Sequence, residues 1–88
     1  MRNTIQARVA NLLRTRLLIS RKRFLFSQRL QEDCHLGPYD CLELALLLEI
    51  EFQFELCDQE VAALHTFGHV VQCVKQRVQS TALRAVAA

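Results

Sequence analysis

The sequence predicts an all-α protein, folded as a four-helix bundle with three longer helices, a short third helix and a long loop between the first two. Only two glycines and one proline occur in 88 residues, which leaves few tight turns for a β-sheet fold. Apolar residues make up 51% of the chain and charged residues 23%, as in a folded globular domain. Apolar positions also recur at the steps of three and four residues that are typical of amphipathic helices.

A chain of this length forms one small domain, which excludes a second domain and a large enzyme. We expect the domain to cover residues 1–80. Residues 81–88 are a tail that extends the last helix or frays.

The first predicted helix covers residues 4–17, and its apolar stripe consists of Ile5, Val9, Leu12, Leu13 and Leu17. The periodicity is lost over residues 18–37, where a long loop is expected. A loop of this length needs apolar anchors in the core. The candidates are Ile19, Phe24 and Leu30.

The second predicted helix runs from about residue 39 to residue 52. Pro38 precedes it, at the helix start where the missing N–H of proline costs no hydrogen bond. The helix carries two apolar stripes on different sides: Leu44, Leu48 and Phe52 form one, and Leu42, Leu46 and Ile50 form the other. Two interpretations stay open, a central helix packed on both sides or a second stripe that is exposed for a partner or ligand.

A short third helix and a long fourth helix complete the pattern. Asp58 is the predicted N-cap of the third helix, which ends near Ala62, and Thr66 is the predicted N-cap of the fourth. The apolar stripe of the fourth helix consists of Phe67, Val70, Val71, Val74 and Val78.

The net charge of +2 conceals a strong asymmetry along the chain. Residues 1–31, the basic block, hold eight of the eleven basic side chains and no acid, whereas residues 32–60, the acidic block, hold all nine acids and no Lys or Arg. The cations at Arg14, Arg16, Arg21, Lys22 and Arg23 either balance the acidic helix within the domain or form a separate site for an acidic protein or a phospholipid. Nucleic acid is not expected as a partner, because no recognisable binding module accompanies the charge.

The cysteines and histidines indicate no metal or disulfide framework. Cys34, Cys41, Cys57 and Cys73 match no close-paired zinc or redox pattern, so we interpret them as reduced thiols of a cytoplasmic protein. His65 and His69 could share a helix face, but they lack a second closely spaced ligand pair. No apolar run approaches the roughly 20 residues of a membrane span, and the N-terminus lacks an apolar export core.

Residues 3–79 resemble the acyl carrier protein family without a gap. The first helix matches at Thr4-Ile5, Arg8-Val9 and Leu12-Leu13, and an acidic pair at residues 32–33 matches the one that precedes the family's prosthetic-group site. Residues 40–44 and 48–52 resemble the family's second helix, and residues 56–61 and 64–66 match its short third helix and the cap of its fourth. Around residues 66–67 and in the basic last helix, the chain is similar to the carriers associated with type III secretion.

This resemblance implies a carrier fold whose attachment residue has changed. The family holds acyl chains on a phosphopantetheine arm, attached to the serine of an Asp-Ser-Leu motif at the start of the second helix. In the ungapped register Pro38 replaces that serine, and proline supplies no oxygen nucleophile. We therefore expect no cofactor. An alternative alignment places Cys41 at the attachment position, which would make the chain a working carrier of 4′-phosphopantetheine in fatty-acid or polyketide synthesis, and Tyr39 is a further candidate.

The resemblance also implies a partner surface, because acyl carrier proteins present an acidic second helix to basic patches on their enzymes. The residues expected to bind the partner are Asp40, Leu42, Glu43, Leu46, Glu49, Ile50 and Glu51. The expected partner is a protein with a basic patch, such as a fatty-acid or polyketide synthesis enzyme or a secretion-associated protein. We expect a monomer without enzymatic activity, since no nucleophile, base and orienting group can be assembled from the sequence.

Overall fold

A computed structural model describes residues 4–87 of the chain, with side chains described through residue 79. Four helices follow one another: α1 (Ile5–Thr15), α2 (Pro38–Phe52), α3 (Asp58–Ala62) and α4 (Phe67–Ala87). The predicted all-α four-helix bundle is confirmed, with its short third helix and its long loop between α1 and α2. Residues 1–3 of the predicted domain and residue 88 of the predicted tail lie outside the described residues, as do the side chains of residues 80–87. None of the helices described over residues 4–87 is long and apolar enough to cross a lipid bilayer.

The hydrophobic core lies between α1, α2 and α4, and the connecting loops close it. The apolar stripes predicted for these three helices supply most of it, which confirms the helical periodicity read from the sequence. The largest side chains that are almost completely buried are Val9, Leu13, Leu30, Leu44, Leu48, Phe67, Val70 and Val74.

Helix α1 begins one residue later and ends two residues earlier than the predicted helix of residues 4–17. The Thr4 hydroxyl caps the helix by accepting a hydrogen bond from the Ala7 N–H at 3.1 Å. The last turn closes where Leu17 N–H donates to the Leu12 carbonyl at 3.4 Å, and Leu18 then takes a left-handed conformation with φ of 57°. Such a conformation costs a leucine roughly 1–2 kcal/mol, so nothing in the sequence predicts a turn at this residue. The predicted helix over residues 4–17 was therefore too long.

The loop between α1 and α2 is fastened to the start of α4. Phe24 and Leu30 are buried in the core and Ile19 is half-buried against it, so the predicted anchors are confirmed. Leu30 N–H donates to the His65 carbonyl at 2.9 Å, and Phe67 N–H donates to the carbonyl of residue 28 at 3.0 Å. The second bond uses an N–H that α4 itself leaves unpaired at its N-terminus.

The N-caps of α3 and α4 differ in how well they could be predicted. Thr66 caps α4 as predicted, because its hydroxyl accepts from the His69 N–H at 3.1 Å. Asp58 was the wrong N-cap for α3: Cys57 occupies that position and Asp58 is the first helical residue. The reason is Glu60, whose carboxylate accepts a hydrogen bond from the Cys57 N–H at 3.1 Å. In this capping arrangement the N-cap lies three residues before the glutamate. The same N–H lowers the pKa of Glu60 below its ordinary value.

Gly68→Ala is expected to destabilise the protein, although alanine normally stabilises a helix relative to glycine by about 1 kcal/mol. A Cβ at position 68 would lie 2.9 Å from the Phe26 carbonyl oxygen and 3.0 Å from the Phe26 Cβ. The loop and α4 would have to separate, and we expect a loss of about 1–3 kcal/mol in the free energy of unfolding. Urea unfolding followed by circular dichroism measures this loss.

Gly37→Ala is the matched control, because a Cβ there would meet its nearest atom, a carboxylate oxygen of Asp40, at 3.8 Å. That variant should stay within about 1 kcal/mol of the wild type. A Gly68→Ala protein more stable than the wild type would contradict the close packing of the loop on α4.

Candidate functional site

The start of α2 is the position where the family resemblance places the attachment residue. Pro38 is the first residue of the helix, as predicted, and it is exposed. Gly37 is the N-cap, and its N–H donates to the Asp40 carboxylate at 3.0 Å. A proline at this point supplies a fixed φ and no nucleophile, so the residues present do not fit attachment of a phosphopantetheine arm here.

One face of α2 is apolar and exposed along the whole helix. We call it the α2 stripe; its members are Tyr39, Leu42, Leu46 and Ile50, which are 86%, 55%, 60% and 75% exposed. These positions recur at three- and four-residue steps and span about 16 Å of helix. The opposite stripe has Leu44 and Leu48 buried in the core. Of the two interpretations left open by the sequence, the structure therefore has the second stripe exposed.

Tyr39 belongs to this face, although sequence reasoning considered it only as an attachment candidate. It stands three residues before Leu42 and seven before Leu46. That spacing was the signal that could have placed it with the exposed leucines.

The carboxylates predicted for the partner surface are mostly engaged within the fold. Asp40 caps the start of α2, as described above. Glu49 is half-buried, and its carboxylate accepts from the Leu56 N–H at 2.7 Å. Glu51 pairs with Arg8 at 2.8 Å, which also tethers α1 to α2. The pairing of Glu51 was not visible in the sequence, because Arg8 lies 43 residues away in the chain.

Glu43 differs from the other three. It is exposed, and within the part of the chain that the structure describes its carboxylate has no hydrogen-bond or ion-pair partner. It follows Leu42 directly and lies at the edge of the α2 stripe. Glu43 is therefore the carboxylate of this set whose two oxygens are both free to bind a partner.

The four cysteines are free, but they differ in exposure. Cys41, the alternative attachment residue, is half-buried and packs against the core from the first turns of α2. Cys34 is buried, and desolvation raises the pKa of its thiol above the ordinary value although Arg21 opposes the shift. Burial likewise raises the pKa of Cys73. Cys57, at the N-cap of α3, is exposed.

The two histidines at the start of α4 make a local contact. The backbone N–H of His65 donates to Nδ1 of His69 at 3.3 Å, and the ring centroids are 6.0 Å apart. Over the described residues, no group of three or more His, Cys, Asp or Glu side chains is arranged to hold a metal ion.

Several arginines of the basic block act as structural donors. Arg14 donates to the Arg21 carbonyl at 2.7 Å and to the Lys22 carbonyl at 2.6 Å, and its guanidinium lies 5.2 Å from the Phe24 ring centroid. Arg21 donates to the Asp33 carbonyl at 2.8 Å. These bonds hold the loop on α1 and on the segment before α2.

The remaining cations of the loop face solvent. Arg29 forms a local ion pair with Glu32 at 2.8 Å, an exposed contact that contributes little to stability. Arg16, Lys22 and Arg23 are exposed, and their side chains have no hydrogen-bond or ion-pair partner among the residues that the structure describes. The basic block is thus divided between arginines that stabilise the fold and cations that are available to a ligand.

No protein-family model matches the chain. The likeness to acyl carrier proteins therefore rests on the matching residues themselves, and the function that it implies is a proposal.

Proposed function

We propose that this chain is an acyl carrier protein-like module that docks on a partner protein through α2 and carries no phosphopantetheine arm. The observation that carries the proposal is the α2 stripe, whose four large side chains are each more than half exposed. A contiguous apolar row of this kind on one face of a helix marks an interaction surface. Its helical spacing suits insertion into a groove of the partner.

The chemistry around the stripe defines the partner. Leu42, Leu46 and Ile50 supply the apolar centre, and Glu43 supplies an unpaired negative charge at its edge. The complementary surface is an apolar groove with a basic rim. Enzymes of fatty-acid or polyketide synthesis and secretion-associated proteins are the partners that the family resemblance implies.

The internal pairing of the other acids limits the electrostatic contribution to docking. The charge of Glu51 is offset by Arg8, while Glu49 keeps its charge but is half-buried, with one carboxylate oxygen already accepting from the Leu56 N–H. Binding should therefore depend mostly on the leucines of the stripe and should weaken only modestly as salt rises.

The start of α2 supports the absence of an arm. Pro38 offers no nucleophile, and the Cys41 thiol packs against the core instead of extending from the helix end. A transferase needs an accessible nucleophile on its substrate. We therefore propose a monomeric, cytoplasmic interaction module whose cysteines stay reduced, without enzymatic activity of its own.

Intact mass after co-expression with a broad-specificity phosphopantetheinyl transferase tests the missing arm. We expect the wild type to keep its unmodified mass. The matched variant is the triple substitution Gly37→Asp, Pro38→Ser and Tyr39→Leu, which restores the family motif in the ungapped register and should gain one phosphopantetheine.

Two outcomes would contradict this prediction in different ways. A wild-type chain that gains the group, mapped to Cys41 by peptide analysis, would make the protein a working carrier. A folded triple variant that stays unmodified would show that the register with the family is wrong.

A further inference from the structure

The segment of residues 16–26, which we call the basic loop, exposes both cations and large apolar side chains. It contains no acid. Leu18, Leu25 and Phe26 are 80%, 60% and 55% exposed. The cations that face solvent without a partner in the described part of the chain are Arg16, Lys22 and Arg23.

The fold holds this loop in place from several sides. Arg14 binds two consecutive carbonyls, as described above, and Phe24 is buried with its ring 5.3 Å from that of Phe67. Leu25 N–H donates to the Gln28 side chain at 2.7 Å, and Gly68 N–H donates to the Phe26 carbonyl at 3.0 Å. The backbone that carries the exposed apolar side chains is therefore already ordered, so binding would cost less conformational entropy than it would for a flexible loop.

We propose that the basic loop binds peripherally to the surface of an anionic lipid bilayer. A bilayer interface satisfies both kinds of side chain at once, because phosphate headgroups attract the cations while leucine and phenylalanine enter the boundary with the acyl chains. A docked protein helix would need an apolar groove instead. The groove beside Lys22 and Arg23 is lined by Phe24 and Phe67, but these residues are only 6% and 0% exposed. The groove therefore offers a partner helix little apolar surface.

The distribution of charge sets the orientation on the bilayer. The groove beside the loop is lined by residues of α1, its N-cap, the loop itself and Phe67. The nine acids of the acidic block would be repelled by anionic headgroups. Within the basic loop, Arg16 lines a groove with Ile50 and Glu51, and Leu18 lines one with Asp33 and Asp40. The part of the loop that turns to the lipid is therefore residues 22–26, whose groove is lined by no acid.

Co-sedimentation of the full chain with phosphatidylcholine vesicles, with or without about 30% phosphatidylglycerol, tests the proposal. The wild type should bind the anionic vesicles and not the neutral ones, and the binding should weaken with salt. Arg23→Gln should lower the partition coefficient about fivefold. Lys75→Gln, which removes the same charge from an exposed position of α4, should leave it unchanged.

A second matched pair tests the apolar contribution. Leu25 and Leu46 are both 60% exposed, so Leu25→Ser and Leu46→Ser remove equally exposed leucines from the loop and from α2. Leu25→Ser should lower binding to anionic vesicles several-fold and Leu46→Ser should not. Circular dichroism of all four variants serves as the control for folding.

Three results would overturn the proposal. The first is a wild type that does not sediment with anionic vesicles. The second is an equal loss of vesicle binding for both variants of either pair, which would indicate binding through the overall charge of the protein or through a different face. The third is loop-dependent binding to polyglutamate without binding to vesicles, which would assign the basic loop to an acidic protein instead of a lipid.

Discussion

Phe67→Ala is expected to lower the free energy of unfolding by about 3–5 kcal/mol. The Phe67 ring is completely buried and stacks on two rings of the loop, with centroids 5.3 Å from Phe24 and 6.0 Å from Phe26. Its removal would leave a cavity at the point where the loop, α1 and α4 meet. Because the total free energy of unfolding of a small domain is only about 5–15 kcal/mol, this variant should lose a large part of its folded population under mild denaturing conditions.

Urea unfolding of Phe67→Ala, measured by circular dichroism, should be compared with that of Phe54→Ala. Phe54 is half-buried in the connection between α2 and α3, so its truncation should cost distinctly less. If Phe67→Ala is too unstable to purify, Phe67→Leu keeps most of the buried volume and loses mainly the two ring contacts, so it should cost less than Phe67→Ala but still more than Phe54→Leu. Equal losses for Phe67→Ala and Phe54→Ala would contradict the central place of Phe67 in the core.

The helices could be predicted because their apolar stripes and caps are local signals. Pro38 and Thr66 mark the starts of α2 and α4 directly in the sequence. The end of α1 could not be predicted, because Leu18 turns the chain with a positive φ where a glycine would have been expected. After this turn Ile19 N–H donates to the Leu13 carbonyl at 3.1 Å, and both side chains contact the core, so the turn is supported by tertiary packing.

The candidate site was predictable only in part, for the same reason. Leu42, Leu46 and Ile50 were found by their spacing, but the sequence could not decide whether this second stripe of α2 is packed or exposed, since both stripes are apolar. The partner of Glu51 lies 43 residues away in the chain, and that of Glu49 is a backbone N–H in the connection after the helix. Fewer carboxylates of α2 are therefore free to bind a partner than their number in the sequence suggests.

In the basic block, the sequence does not show which cations are used within the fold. Its cations look equivalent in the sequence, yet Arg14 and Arg21 hold backbone carbonyls while Lys22 and Arg23 face solvent. A guanidinium can bind two carbonyls at once, and only the path of the loop determines which arginine does so. The division between structural and available cations is therefore a property of the fold.

Leu46→Asp is expected to weaken binding of the partner by at least about 30-fold, which corresponds to 2 kcal/mol or more for a central residue of an interface. Leu46 lies in the middle of the α2 stripe, and a carboxylate there would have to be desolvated in an apolar groove. The fold should be unaffected, because the side chain is 60% exposed. Leu25→Asp introduces the same charge at an equally exposed leucine of the basic loop and serves as the control.

Docking through α2 is tested most directly by comparing the wild type, Leu46→Asp and Leu25→Asp as immobilised baits for proteins of the native host, followed by affinity measurement with the purified partner. We expect a partner that is retained by the wild type and by Leu25→Asp and lost by Leu46→Asp. Equal affinity for all three folded proteins would contradict the assignment of α2 as the docking helix.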